Sequence, residues 1–296
     1  MKILIISDIH SNYEALLAVV HAEKADEILC LGDLVDFGPQ PAECVQWVRF
    51  HVRHNCVRGN HDHALAFGVD CRSSKRFHEL SELSLAMNRE LLLPEQIEFL
   101  QKLPLTKLLT LDRFRFHLSH TAPDGDLYKN HLQPGISDEA LAVEIESIDA
   151  DFMLCGHTHM PMVRKIGTKT FVNPGSVGLP LGGDPRASYA VLHDGKVRLR
   201  RVKYAVTETV ALPMRLTLPR TDPGPSRRSP MKCSWRSQKT RTPFAPAVAN
   251  PEPSNDAERI TIFSQNPAMK WATSPPKNRS PIGVILVPFG SASGFQ

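Results

Sequence analysis

The chain has 296 residues, 42% of them apolar, enough for one large domain with extra material or two modest ones. Its net charge of +4 hides an asymmetry: residues 211–296 hold 12 Lys and Arg against 4 Asp and Glu, leaving 23 basic and 27 acidic residues, a net of −4, to residues 1–210. The larger part therefore lacks the basic stripe of a dedicated nucleic-acid binder, no stretch approaches the roughly 20 apolar residues of a membrane span, and the four apolar residues before Ser7 are too few for a secretory core.

In chain order, Ile3-Leu4-Ile5-Ile6 reads as a strand buried on both faces. Residues 12–24 follow with helical spacing at Leu16, Leu17 and Val20, with Asn12 as the N-cap. Residues 27–31 form the next strand, which completes a βαβ unit. A second helix is expected over 41–52 and a third strand over 55–58. Residues 75–103 read as two helices: Leu80, Leu83, Met87, Leu91 and Leu92 give the first its apolar face, and Pro94 restarts the second. Strands over 105–111 and 113–119 turn tightly at Asp112, and an amphipathic helix spans 138–148. A strand over 151–155 precedes two hairpins, 162–172 around Gly167 and 188–202 around His193-Asp194-Gly195. Parallel units first and antiparallel hairpins last fit an α/β protein with a mixed sheet, or a two-sheet sandwich flanked by helices.

After about residue 210 the character changes. Fourteen of the 24 prolines lie there and the periodicity fades, so 211–296 is expected to be a disordered tail or a frameshifted extension of a 1–210 domain. The six cysteines, Cys30, Cys44, Cys56, Cys71, Cys155 and Cys233, form no CxxC pair. They read as free thiols of a reducing cytoplasm.

Five short motifs place metal-type ligands directly after predicted strands. They are Asp8-Ile9-His10, Gly32-Asp33-Leu34-Val35-Asp36, Gly59-Asn60-His61-Asp62, Ser119-His120-Thr121 and Gly156-His157-Thr158-His159. Strand ends on one edge of a sheet converge on one crevice. Each motif alone has a plain structural explanation, such as a helix cap, a solvated pair of imidazoles or a hydrogen-bonded core histidine. Five such sets at five strand ends do not, because buried carboxylates and imidazoles are costly without a cation. His63, His78, His117, His131 and His193 lie outside the motifs and read as ordinary surface or core residues.

In this order, over residues 1–210, the motifs resemble the signature of the calcineurin-like metallophosphoesterase superfamily, D-x-H … G-D-x-x-D … G-N-H-[DE] … H … G-H-x-H. GDLVDFGP, VRGNHD, NPGSVG and GDPRASYAVL are similar to its compact bacterial phosphodiesterase branch. The resemblance implies a two-sheet β-sandwich flanked by helices, the αββα metallophosphoesterase fold. It also implies hydrolysis of a small phosphodiester or phosphomonoester by a hydroxide held between two divalent metal ions. Asp8, His10 and His159 would bind one ion, Asn60, His120 and His157 the other, and Asp33 would bridge them. His61 would be the general acid, oriented by Asp36, for which a turn or cap role is the alternative. Arg58 reads equally as a phosphate contact or a solvated strand end, and Asn12 as a phosphate donor or a helix cap. Mixed N/O ligands without thiolate suit Mn²⁺ first, with Fe, Ni²⁺, Co²⁺ or Zn²⁺ as alternatives. Phe37 stands where the Ser/Thr protein phosphatase branch has Arg, which argues against a phosphoprotein substrate.

Two other readings compete. A non-catalytic scaffold of the same fold, binding protein partners, would be expected to lack His61 or a metal ligand. A nucleic-acid contact through the basic tail would be weak and salt-dependent.

Overall fold

The computed structural model describes residues 1–129 and 132–206. The expected tail, its boundary at 210, its nucleic-acid contact, Cys233 and His131 lie outside the described residues. The first half runs β1 (Lys2–Ile6), α1 (Tyr13–Ala22), β2 (Glu27–Cys30), α2 (Pro41–His51), α3 (Asn60–Phe67), α4 (His78–Leu91) and α5 (Pro94–Lys102). The second half runs β3 (Thr106–Leu111), β4 (Phe114–Ser119), α6 (Asp138–Ile145), β5 (Phe152–Leu154), β6 (Met162–Ile166), β7 (Lys169–Asn173), β8 (Ala187–His193) and β9 (Lys196–Val202). No helix of the described residues is long and apolar enough to cross a membrane.

The strands form two mixed sheets, β2-β1-β8-β9 and β3-β4-β5-β7-β6. Strand β1 runs parallel to β2 and antiparallel to β8. In the other sheet β5 runs parallel to both β4 and β7. The alternation of a strand explains the layers. Ile3 and Ile5 meet Phe116, Leu118, Phe152 and Leu154 in the core between the sheets. Leu4 and Ile6 face the opposite way, into a cluster with Leu16, Val45 and Leu100 of the helices. A third cluster covers the far side of the second sheet, where Leu141 and Ile145 of α6 meet Met153 and Phe171. The architecture is a two-sheet sandwich flanked by helices, and five of the cysteines are buried and free.

Three local expectations need correction. Residues 55–58 form no strand, only a parallel bridge between Cys56 and Cys30, because the chain turns into α3 at Gly59. Helix α3 was not foreseen, since its first turn consists of the Asn60-His61-Asp62 motif rather than an apolar stripe. Helix α4 sits where expected but is turned about its axis. Its buried face is Ser81, Ser84 and Asn88, while Leu80, Leu83 and Leu91 are 52%, 67% and 50% exposed.

Candidate metal centre

The motif loops leave the C-terminal ends of β1, β2, β4 and β5, together with the start of α3, and meet over one edge of the sandwich. Tight turns are needed to aim so many side chains inward. Among the described residues, eight of the twelve non-glycine residues with positive φ lie in these loops: Asp8, His10, Ser11, Asp33, Asp36, Phe37, His157 and His159. Backbone strain of this kind persists only where surrounding structure enforces it, and it gathers at functional sites. Two glycines permit the close approach. A Cβ on Gly59 would lie 1.9 Å from Asp33 Oδ1, and one on Gly156 would lie 1.9 Å from Ser7 Oγ.

Asp8, His10 and His159 form one group. His10 Nδ1 donates to Val35 O (3.0 Å) and His159 Nδ1 donates to Leu179 O (2.6 Å), which fixes both tautomers. Both Nε2 lone pairs then point inward and stand 3.1 Å apart. Asp8 Oδ1, 3.3 Å from His159 Nε2, is fully buried and accepts no hydrogen bond. A carboxylate oxygen and two imidazole Nε2 atoms gathered this closely are what a cation satisfies.

Asn60, His120 and His157 form the second group. His120 Nδ1 donates to Leu31 O (2.7 Å), and Asn60 Nδ2 donates to Cys71 O (2.9 Å). These bonds turn His120 Nε2 and Asn60 Oδ1 toward each other at 3.1 Å, with His157 Nδ1 also 3.1 Å from Asn60 Oδ1. Asp33 lies between the groups: its Oδ2 is 3.0 Å from His120 Nε2 and 3.8 Å from His10 Nε2. The donor set fits two divalent cations of the N/O-loving kind.

The charges differ from group to group. Burial opposes ionisation of Asp8, but the adjacent His159 imidazole outweighs it and holds the carboxyl at about 2. Burial and the neighbouring His159 press His10 down to about 4. Burial would also depress His120, yet the Asp33 carboxylate lifts it to about 9.

Beside the first group stands His61, its ring centroid 5.1 Å from that of His10, and its Nδ1 donates to Asp36 Oδ2 at 2.5 Å. Burial disfavours its charge, but Asp33 and then the bond to Asp36 raise it well above the usual imidazole range. The two expected substrate contacts both bond within the protein. The Arg58 guanidinium donates to Gln101 O (2.8 Å) and lies over the Phe67 ring. Asn12 caps α1 by accepting from Ala15 N (3.1 Å) and donates to Gly178 O (3.0 Å).

Sequence reasoning missed the braces behind these groups. The Asp62 carboxylate accepts from the N–H groups of Asp33 (2.8 Å), Leu34 (2.8 Å) and Gly59 (3.0 Å), which locks the loop after β2 to α3. Ser176 Oγ donates to Asp8 O (2.7 Å), and Asn173 Nδ2 donates to Gly156 O (2.7 Å). Asp62 stands inside a motif, and Asn173 and Ser176 stand in the NPGSVG run, so position hinted at all three.

The family model for the calcineurin-like phosphoesterase superfamily domain matches residues 1–195. The chain belongs to that superfamily. It is therefore a metal-dependent phosphoesterase, a hydrolase of phosphate esters. The crystal structure of a metallophosphoesterase from Sphaerobacter thermophilus superposes with a TM-score of 0.59 at 30% identity, over 71% of this chain and 91% of that one. The Methanocaldococcus jannaschii protein MJ0912 is 32% identical over 226 residues, 69% of this chain and 88% of the relative. Phosphodiesterase YfcE of Escherichia coli K12 is 26% identical over 199 residues, 65% of this chain and 87% of YfcE. For this superfamily member, the family's two-metal chemistry and the inward-facing donors agree.

Proposed function

We propose that the protein hydrolyses a phosphodiester at a two-metal centre. Asp8, His10 and His159 hold one ion, Asn60, His120 and His157 the other, and Asp33 is shared. When bound, the two ions supply Lewis acidity toward the phosphoryl oxygens and make water nucleophilic near neutral pH. The chain's own residues do the rest. The carbonyls of Leu31, Val35, Leu179 and Cys71 fix the rings and amide that hold the ions. His61, kept protonated by Asp33 and Asp36, hands a proton to the leaving oxygen, and Asp36 holds its Nδ1 so that Nε2 is the atom that gives it. The preference for a diester rests on the likeness to YfcE, a named phosphodiesterase, and on Phe37 in place of a phosphate-clamping Arg. Mn²⁺ is the proposed ion.

The observation that carries this reading is the convergence of lone pairs from Asp8, His10 and His159 on one point, with every Nδ1 proton spent on a carbonyl. A scaffold without turnover gives no reason to keep His61 and the seven ligands together. The Mn²⁺-loaded protein is expected to hydrolyse bis(p-nitrophenyl) phosphate, and a chelator to abolish this. Inactivity with Mn²⁺, Fe²⁺, Co²⁺, Ni²⁺ and Zn²⁺ alike would leave the scaffold reading standing.

A further inference from the structure

We propose that α4 is the positioning element of the proton donor: Ser81 and Asn88 hold Asp36, and through Asp36 the ring of His61. This rests on the reading of His61 as general acid. The first observation is the turned helix. A helix packed for stability buries its leucines and exposes its polar residues. Helix α4 fully buries only Ser81, Ser84 and Asn88, leaves Leu85 partly buried against the core, and exposes Leu80, Leu83 and Leu91. Ser81 and Asn88 are seven residues apart, two turns along one face.

The second observation is what that face touches. Asp36 and Phe37 have φ values of 79° and 58°, a conformation that L residues with side chains adopt only under constraint. Asn88 supplies much of that constraint. Its Oδ1 accepts from Asp36 N (2.9 Å) and Ser11 Oγ (2.5 Å), and its Nδ2 donates to Gly38 O (3.2 Å). One amide thereby ties the loop after β2 to the loop after β1. Ser81 fixes the side chain, its hydroxyl donating to Asp36 Oδ2, the oxygen that also accepts from His61 Nδ1.

The proton count gives the chain a direction. The single Ser81 hydroxyl proton goes to Asp36, so Ser81 Oγ is left to accept from the Cys71 thiol, with Sγ 3.2 Å away. Cys71, Ser81 and His61 are thus all oriented by the Asp36 carboxylate. Neither Ser81 nor Asn88 has a hydrogen bond to any of the seven metal-type ligands. Their loss should therefore spare metal binding and strike proton donation.

The test compares wild type with Ser81→Ala, Asn88→Ala and Ser81→Cys in the full Mn²⁺-loaded chain. Turnover is measured for aryl phosphodiesters whose leaving group runs from p-nitrophenol to phenol. In Ser81→Ala and Asn88→Ala, kcat should fall about tenfold or more for the phenol ester and much less for the p-nitrophenol ester, which needs little proton assistance. KM and metal content should hold, and Ser81→Cys, a weaker donor of similar shape, should fall in between. Independently of turnover, the His61 Nδ1–H resonance in the diamagnetic Zn²⁺-loaded protein should lie far downfield in wild type and be shifted or lost in Ser81→Ala. Equal kcat losses for both leaving groups, no loss, or an unmoved resonance would each overturn the proposal. An inactive wild type would count against the hydrolytic reading, and the resonance alone would then decide the role of α4.

Discussion

The two halves of the metal centre use similar donors but reach electrical balance differently. In the Asn60–His120–His157 half, Asp33 lies 3.0 Å from His120 and a proton on that imidazole balances the carboxylate. In the Asp8–His10–His159 half, Asp33 is 3.8 Å from His10, whose ring burial and its neighbours keep neutral, and Asp8 Oδ1 has no donor. One half can stand without a cation by keeping a proton, and the other leaves a buried carboxylate oxygen unsatisfied. The asymmetry teaches that the halves should differ in affinity and in pH dependence, with the Asp8 half filling first.

The largest expected effect removes the contrast altogether. Asp33→Ala takes away the oxygen between the halves and the partner of the His120 proton. Metal content should fall below two ions per chain and activity to that of the chelated protein, read by elemental analysis and bis(p-nitrophenyl) phosphate turnover. Retention of both ions would mean that Asp33 is not shared. His61→Ala comes next and should leave the contrast intact. Both halves still fill, while kcat for esters with poor leaving groups drops by about 10²- to 10⁴-fold. An unchanged rate on such esters would remove His61 from the mechanism.

A smaller effect sharpens the comparison through pH. In the metal-free protein His120 keeps its proton up to about 9. A cation must displace that proton, so affinity of the second half should weaken as pH falls below this value, by up to about tenfold per unit. Asp8 and His10, held at about 2 and about 4, carry no protons to displace near neutrality. These two ligands should then add little to the pH dependence of the Asp8 half there. Calorimetry in buffers of different ionisation enthalpy should find more proton release with the second ion than with the first. Equal release for both would break the asymmetry.

How much of this was legible in the sequence follows from where each interaction is encoded. Ile3 to Ile6 announce a doubly buried strand, and the acids and imidazoles after successive strands announce a crevice. The carbonyls of Leu31, Val35 and Leu179 that aim the imidazoles leave no trace in residue identity, since every residue carries a carbonyl. Helix α3 was hidden because its eight residues carry motif side chains instead of a stripe. Helix α4 misled for a physical reason. Leucines at helical spacing look like core, but the hydrogen bonds that Asp36 needs from Ser81 and Asn88 set which face turns inward.

The smallest effect separates stability from site geometry in the Asp8 half. Asn12 accepts from Ala15 N, so Asn12→Ala should cost about 1 kcal/mol as a lost helix cap, measured by denaturant unfolding. The same amide donates to Gly178 O, and the next residue, Leu179, supplies the carbonyl that sets the His159 tautomer. Gly178 N in turn donates to Asp8 O at 2.9 Å. Loosening this loop should lower affinity for the first ion by about tenfold, at the low end for a supporting contact. The second ion should bind as before, because none of these Asn12 contacts reaches Asn60, His120 or His157. Equal weakening of both ions would mean that the halves are mechanically one unit, and unchanged binding would mean that the cap is all Asn12 provides.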